Sequence, residues 1–348
     1  MTRSSIPGPG PRNLLSDVAG IEVGNAQEDA LRSGATVVRC THPMIASVDV
    51  RGGGPGTRET DALQPGTFVD KIDAIVLAGG SVFGLAAADA VCAALAEQQI
   101  GRRSKVDAPP VPIVPAAILY DLENGGDKNW GAHPPYAELG RVALANVSAE
   151  FALGSAGAGR GAKAGDLKGG LGSASIDLGD GLVVAALVAA NPIGSVLTPD
   201  GRSFWAWPFE IDGEFGGARP TETAAAAIDP LGPGSKLDAA DPNAAPFNTA
   251  IAVVACSAEL TVAEAKRVAM MAQDGFARAI RPAHTPFDGD TVFAIASGAV
   301  SLRANRSLDL TRIGSAASDC LARAVARGVY EAASVPAEPL AYRDLQGS

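Results

Sequence analysis

A threonine hydroxyl can cut an amide when it faces a carbonyl and a base stands ready for its proton, and Thr249 is placed for that chemistry. It follows Asn248 at a junction. Before it, the stretch 216–248 is crowded with Gly, Pro and Ala and reads as a loop; after it, Thr249 to Cys256 reads as a buried strand. If the Asn248–Thr249 bond breaks, Thr249 gains a free α-amine beside its own hydroxyl, and one residue then supplies both nucleophile and base. The same hydroxyl could make that cut by an N-to-O acyl shift, with water resolving the ester. A threonine opening a strand after a Gly/Pro loop is also common without any chemistry, so the other motifs decide.

Asp288-Gly-Asp290 precedes a further apolar run. Two carboxylates this close repel, and keeping both ionised calls for a nearby cation such as a buried lysine or a free N-terminal amine. Taken alone the motif is an ordinary Asp-Gly turn. Asn191-Pro192 ends an apolar strand, from which the Asn191 amide could serve as an oxyanion donor or simply open a turn. Lys163 and Lys168 flank an unusually small-residued stretch, Gly159 to Gly170. Asp121, Glu123 and Asp127 follow Tyr120 and could face a substrate ammonium group or form a solvated acidic loop.

Three Gly-rich segments, Arg51 to Thr57, Ala78 to Gly84 and Gly154 to Arg160, lack the Gly-Lys-Ser/Thr ending of a phosphate-binding P-loop. The second falls at a strand-to-helix turn, where free N–H groups favour an anion.

The elements that must position these residues alternate in type. Ala35 to Cys40 and Ile45 to Val50 read as strand, turn and strand around Thr41-His42-Pro43. Asp73 to Gly80 is a short strand followed by a helix from about 83 to 98. Val111 to Tyr120 is extended, Tyr136 to Asn146 helical, and Gly181 to Ala190 a strand buried on both faces and hence central. After Thr249 to Cys256 come an amphipathic helix over about 261–279, opened by a Thr261/Glu264 capping box, a strand over about 291–297 and a helix over about 311–333. Strands and helices without βαβ periodicity predict an α+β fold, an αββα sandwich of sheets covered by helices.

Composition narrows the partners. The 348 residues are 47% hydrophobic and 19% charged, enough for an extensive core in one large domain or two ordinary ones, and the whole chain, 1–348, is taken as a single domain. A formal charge of −10 disfavours nucleic acid and anionic membrane surfaces, leaving a small molecule or peptide as the expected partner. The four cysteines lie far apart, so neither a metal site nor a disulfide framework is expected, and no cofactor is implied. Without a signal-like apolar segment or a membrane span, the expected location is cytoplasmic. The three histidines (His42, His133, His284) have no Gly-x-Ser-x-Gly elbow to complete a serine triad.

In their order along the chain, Asp17-Val-Ala-Gly-Ile-Glu-Val-Gly24, Gly34-Ala-Thr36, Arg51-Gly-Gly-Gly-Pro-Gly56, Leu77-Ala-Gly-Gly-Ser-Val-Phe-Gly-Leu85 and Gly157-Ala-Gly159 form a pattern. It continues through Lys168-Gly-Gly-Leu-Gly-Ser-Ala174, Ala190-Asn-Pro192, Asn248-Thr249 and Pro286-Phe-Asp-Gly-Asp-Thr291. The whole resembles the DmpA-like family of self-processing N-terminal-nucleophile hydrolases, which includes L-aminopeptidase/D-esterases, β-peptidyl aminopeptidases and nylon-oligomer hydrolases. The resemblance implies an αββα sandwich of the kind shared with ornithine acetyltransferase, cut between Asn248 and Thr249 into an α chain, 1–248, and a β chain, 249–348, and assembled as a homo-oligomer. It implies Thr249 as nucleophile, Asn191 as oxyanion donor, Asp288 and Asp290 as the acidic pair, Tyr120 near the substrate, and an active-site lysine. Of Lys163 and Lys168, the resemblance favours Lys168, which directly precedes Gly-Gly-Leu-Gly-Ser. The aminopeptidase members carry serine and a Ser-x-Glu pattern where this chain has Thr249 and Asp288-Gly-Asp290, which places it nearer the nylon-oligomer branch. An acyltransferase using the same acyl-enzyme, and a binding protein of the same fold without chemistry, are the alternatives.

Overall fold

The computed structural model describes residues 7–220, 231, 234–237 and 248–345. Much of the Gly/Pro-rich stretch before Thr249, Phe247 included, lies outside the described residues. Eleven strands are present among them: β1 (Ile21–Glu28), β2 (Ser33–Val50), β3 (Thr57–Arg58), β4 (Lys71–Ala78), β5 (Ala116–Ile118), β6 (Lys163–Ala164), β7 (Leu167–Lys168), β8 (Gly170–Asp177), β9 (Val183–Asn191), β10 (Thr249–Ala258) and β11 (Thr291–Val300). The helices are α1 (Ala86–Glu97), α2 (Tyr136–Ala145), α3 (Val262–Ala272), α4 (Asp274–Ala279), α5 (Arg306–Tyr330) and α6 (Tyr342–Leu345).

Alternation along the strands builds four layers. In β9 and β10, Val184, Ala186, Val188, Ala190, Ala250, Ala252 and Val254 point into a core closed by α3, α4 and α5. The intervening Ala185, Leu187, Ala189, Ile251, Val253 and Ala255 point the other way, onto Val38, Ile75 and Leu77 of β2 and β4. The next residues of those strands, Val37, Val76 and Ala78, meet Ala87 and Val91 of α1 and Leu139 and Ala143 of α2. Three cores separated by two strand layers make an αββα sandwich, and period-two burial on both faces is what near-continuous apolar runs dictate.

The strands run in the order β3-β5-β4-β2-β11-β10-β9-β8, with β1 also on β2. The 18-residue β2 joins the layers. Its first half pairs β1 and β4, its second half β11. The turn expected at Thr41-His42-Pro43 is therefore absent. Ladder pairing with β4 breaks between Arg39 and Met44, and Pro43, which has no N–H to donate, sits in that exposed gap.

Other expectations shift in detail. β9 is buried on both faces but lies second from the β8 edge, because α5 and the opposite sheet cover it where more strands were expected to. The extended segment before Tyr120 contracts to β5, the helix over 261–279 divides at Gln273 into α3 and α4, and the last helix begins earlier, at Arg306. The Thr261 capping box is present, with Thr261 Oγ1 accepting from Glu264 N and Glu264 Oε2 accepting from Thr261 N. No helix among the described residues is long and apolar enough to cross a membrane.

Candidate active site

Three strand ends meet at one point. β9 ends at Asn191, β10 begins at Thr249, and β11 begins just after Asp290. Antiparallel register sets Asn191 directly opposite Thr249, while parallel pairing of Ile251 with Thr291 brings the Asp288–Asp290 loop beside the same junction. The buried strands hold this geometry far more rigidly than loops alone could.

Thr249 is buried, and its hydroxyl donates to the carbonyl oxygen of Asn248, the residue it follows. That oxygen also accepts the Gly289 N–H at 3.1 Å. Gly289 lies against the threonine: a Cβ there would stand 2.7 Å from Thr249 Oγ1. The carbonyl, its hydrogen-bond donor and the Thr249 hydroxyl are thus in mutual contact. The Asn248 side chain is buried as well, and its Nδ2 has no hydrogen-bond partner among the described residues.

Both aspartates are buried and fully engaged. Asp290 Oδ1 accepts from Ala250 N at 2.9 Å, and its Oδ2 contacts His284 Nδ1 at 2.8 Å and accepts from His284 N at 3.2 Å. Asp288 accepts from Ile193 N at 3.2 Å, Thr285 N at 3.0 Å and Thr285 Oγ1 at 2.7 Å. Burial, and then the charge of Asp290, push the Asp288 carboxyl above its ordinary range. The pair fixes the strand start and the adjoining loops in place.

Asn191 is held from both ends of its amide: Oδ1 accepts Lys163 N at 2.9 Å and Nδ2 donates to the Tyr120 carbonyl at 3.0 Å. In this uncut junction the donor on the Asn248 carbonyl is therefore Gly289 N–H, and the Asn191 amide is turned to Tyr120. The Tyr120 hydroxyl donates to Glu123 Oε1 at 3.0 Å, and burial, then that carboxylate, raise the phenol. A cleft of about 140 Å³ opens beside Asn248, lined by Tyr120, Glu123, Lys163, Asn191 and Lys236 among others.

The two lysines separate. Lys163 lines the cleft. Lys168 is almost fully buried, its ammonium paired with Glu338 at 3.1 Å and donating to Arg160 O at 2.5 Å, with none of these bonds reaching Thr249 or its partners. Burial lowers Lys168 to about 8 against the pull of Glu338. Lys236, which the sequence reading did not single out, reaches the site instead: Nζ donates to Asn248 Oδ1 and stands 3.5 Å from Asn191 Oδ1. Burial and the neighbouring Lys163 charge bring it down to about 7, opposed by Asp288 and Asp166. A lysine in a Gly/Pro loop carries no spacing signal that would have marked it.

The Gly-rich segments find their acceptors within the protein. Gly54 N donates to Asp288 O at 2.8 Å and Arg51 N to Asp290 O at 3.0 Å, so the triple glycine cradles the aspartate loop. A Cβ on Gly52 would approach Asp288 O to 2.3 Å. The strand-to-helix turn does hold a carboxyl group, that of the buried Asp121, which accepts Gly80 N at 2.7 Å and Ser33 Oγ at 2.6 Å. Asp121 thus gives its carboxyl to Gly80 and Ser33, and it lines the cleft together with Glu123. Among the described residues no cluster of His, Cys, Asp and Glu could hold a metal.

The profile of peptidase family S58 matches residues 13–339. The chain is 43% identical over 350 residues to an uncharacterized aminopeptidase of Mycobacterium tuberculosis, covering 96% of this chain and 98% of that one. It is 30% identical over 332 residues to the 6-aminohexanoate-oligomer endohydrolase of Kocuria sp. (strain KY2), covering 91% and 86%. Among solved structures, a Burkholderia sp. beta-aminopeptidase superposes with a TM-score of 0.70 at 21% identity, over 99% of this chain and 95% of that one. The L-aminopeptidase D-Ala-esterase/amidase of Ochrobactrum anthropi, described as a variant of the Ntn hydrolase fold, gives 0.69 at 20% identity, with the same coverage.

Proposed function

The chain belongs to peptidase family S58 and is an amide-bond hydrolase, and from that premise we propose that it is a self-processing N-terminal-threonine hydrolase of small peptides or amino-acid-like amides. The observation that carries the reading is the Thr249 hydroxyl on the Asn248 carbonyl, whose oxygen is already held by Gly289 N–H at 3.1 Å. A hydroxyl hydrogen-bonded to a peptide carbonyl, with a donor aimed at the oxygen that becomes negative, brings together the groups that an acyl shift uses. The proposed products are an α chain, 1–248, and a β chain, 249–348.

After the cut, the Thr249 amine takes the hydroxyl proton, the hydroxyl attacks the substrate carbonyl, and the amine passes the proton to the leaving nitrogen. Asp288 and Asp290 then favour the ammonium form as it appears. Lys163, on the cleft, fits the role of active-site lysine better than Lys168, which Glu338 holds elsewhere. A cleft of about 140 Å³ is near the size that holds a single benzene, which supports a small acyl residue. The relatives named aminopeptidase and 6-aminohexanoate-oligomer endohydrolase share the hydrolysis of an unstrained amide, and this chain is read in the same terms.

The test is intact mass and N-terminal sequencing of the purified protein under denaturing conditions, with amide hydrolysis assayed in parallel. Two fragments are expected, the smaller beginning Thr249-Ala250-Ile251. Thr249→Ala should remain whole and lose hydrolysis by at least about a thousandfold, whereas Thr249→Ser should still cut. Full hydrolysis by Thr249→Ala would rule the mechanism out.

A further inference from the structure

The base invoked for turnover does not exist in the uncut chain. Until the bond breaks, the Thr249 nitrogen is an amide whose lone pair is delocalised into the Asn248 carbonyl, and it cannot take a proton. The first reaction at this site therefore needs a different proton acceptor.

The groups around the junction narrow the choice. Asp288 spends its carboxylate on Ile193 N and on the Thr285 amide and hydroxyl. Asp290 spends its own on Ala250 N and on His284, whose Nδ1 is turned onto it at 2.8 Å. Lys236 is placed differently. Its backbone N–H donates to Ile193 O at 2.9 Å and the nearby Gly234 O accepts Asp166 N at 3.2 Å, which anchors this segment to the chain leaving β9. From there Nζ reaches Asn248 Oδ1 and comes within 3.5 Å of Asn191 Oδ1. Since Asn191 is the register partner of Thr249, the amine touches the side chain before the bond to be cut and the side chain of the residue paired with the one after it.

We propose that Lys236 is the proton-exchanging residue for cutting the chain's own Asn248–Thr249 bond, a role that passes to the Thr249 amine once that bond is broken. The proposal rests on the reading of Thr249 as nucleophile. The flexible lysine stem swings Nζ from Asn248 Oδ1 to the hydroxyl of the next residue. Thr249 Oγ1 bonds to the Asn248 carbonyl carbon as its proton passes to Nζ, and Gly289 N–H holds the oxyanion. The C–N bond then breaks and Nζ returns that proton to the Thr249 nitrogen, leaving an Asn248 ester and a free amine. Water adds to the ester, the C–O bond breaks, and the Thr249 hydroxyl and an Asn248 carboxylate result. The charged groups facing Lys236 are Lys163, Asp166 and Asp288, with Glu123 and Asp121 also on the cleft. Burial and Lys163 outweigh the aspartates and bring the amine to about 7, so that much of it is free base near neutrality.

The test follows full-length protein by intact mass from the moment of cell-free synthesis, from mildly acidic to mildly alkaline pH. The expected wild-type cutting rate rises with pH through about 7 and then levels, because the unprotonated amine is the active form. Lys236→Ala and Lys236→Gln, the latter keeping a donor to Asn248 without a titrating amine, should cut at least about a hundredfold more slowly and lose that pH step. Lys236→Arg, always charged, should be equally slow. Added methylamine should restore part of the rate to Lys236→Ala but none to Thr249→Ala. Wild-type cutting rates in Lys236→Gln or Lys236→Arg would overturn the proposal, as would a wild-type profile flat across neutrality; both leave the Thr249 reading standing. A wild-type chain that stays whole would overturn both.

Discussion

Asn191 holds a structural place and is proposed for a chemical one. Its amide joins Lys163 N to Tyr120 O, and its backbone faces Thr249 across the ladder. To reach an oxyanion, Nδ2 must give up the Tyr120 carbonyl, whereas Gly289 N–H is already in place. Asn191→Ala should remove the hydrogen bonds to Lys163 N and the Tyr120 carbonyl, both part-buried, at a cost of about 1–3 kcal/mol. Loss of an oxyanion donor should also lower kcat by about a hundredfold. Paired measurement of the denaturant midpoint and kcat separates the roles: a lower midpoint with kcat intact would confine Asn191 to positioning. At this scale the sequence was legible where residues adjoin strand ends, as Thr249, Asn191, Asp288 and Asp290 do. It was illegible for the lysines, because a long flexible side chain is assigned by what lies around it in space, and neither the Glu338 partner of Lys168 nor the approach of Lys236 has a counterpart in local spacing.

The elements repeat that division. Capping chemistry is local, and Thr261 caps α3 as its Glu264 partner foretold. Thr261→Ala should therefore cost about 1 kcal/mol in chemical denaturation while leaving amide hydrolysis unchanged. Close packing between elements is not local. The Gly170-Leu-Gly172 run, one of the motifs behind the family resemblance, admits α5 against β8: a Cβ on Gly172 would stand 1.9 Å from Ala324 O. Gly172→Ala should cost about 1–3 kcal/mol or more and lower the melting temperature without touching a single side chain of the site. Strand continuity is set the same way. Thr41-His42-Pro43 has every local mark of a turn, yet β2 passes straight through it because β4 and β11 pair on either side of the gap.

For the whole molecule, the consequential feature is where β10 and β11 lie. Both belong to the proposed small chain, and both are inserted between β9 and β2 of the large one, each paired to a neighbour from it. Burial of every residue of β10 adds to the two ladders, so the pieces should stay together after the cut and elute as one species in native size exclusion. Unfolding should distinguish the forms. Uncut Thr249→Ala refolds as one chain, whereas cut protein must bring two chains together, so its recovery from denaturant should rise with protein concentration. Equal, concentration-independent recovery of both would mean that the fragments do not depend on each other. The proposed cut molecule thus holds a memory that its two pieces no longer encode in one strand of chain: their interleaving was laid down before the break, and its endurance rests on how slowly it comes apart rather than on how readily it could be remade.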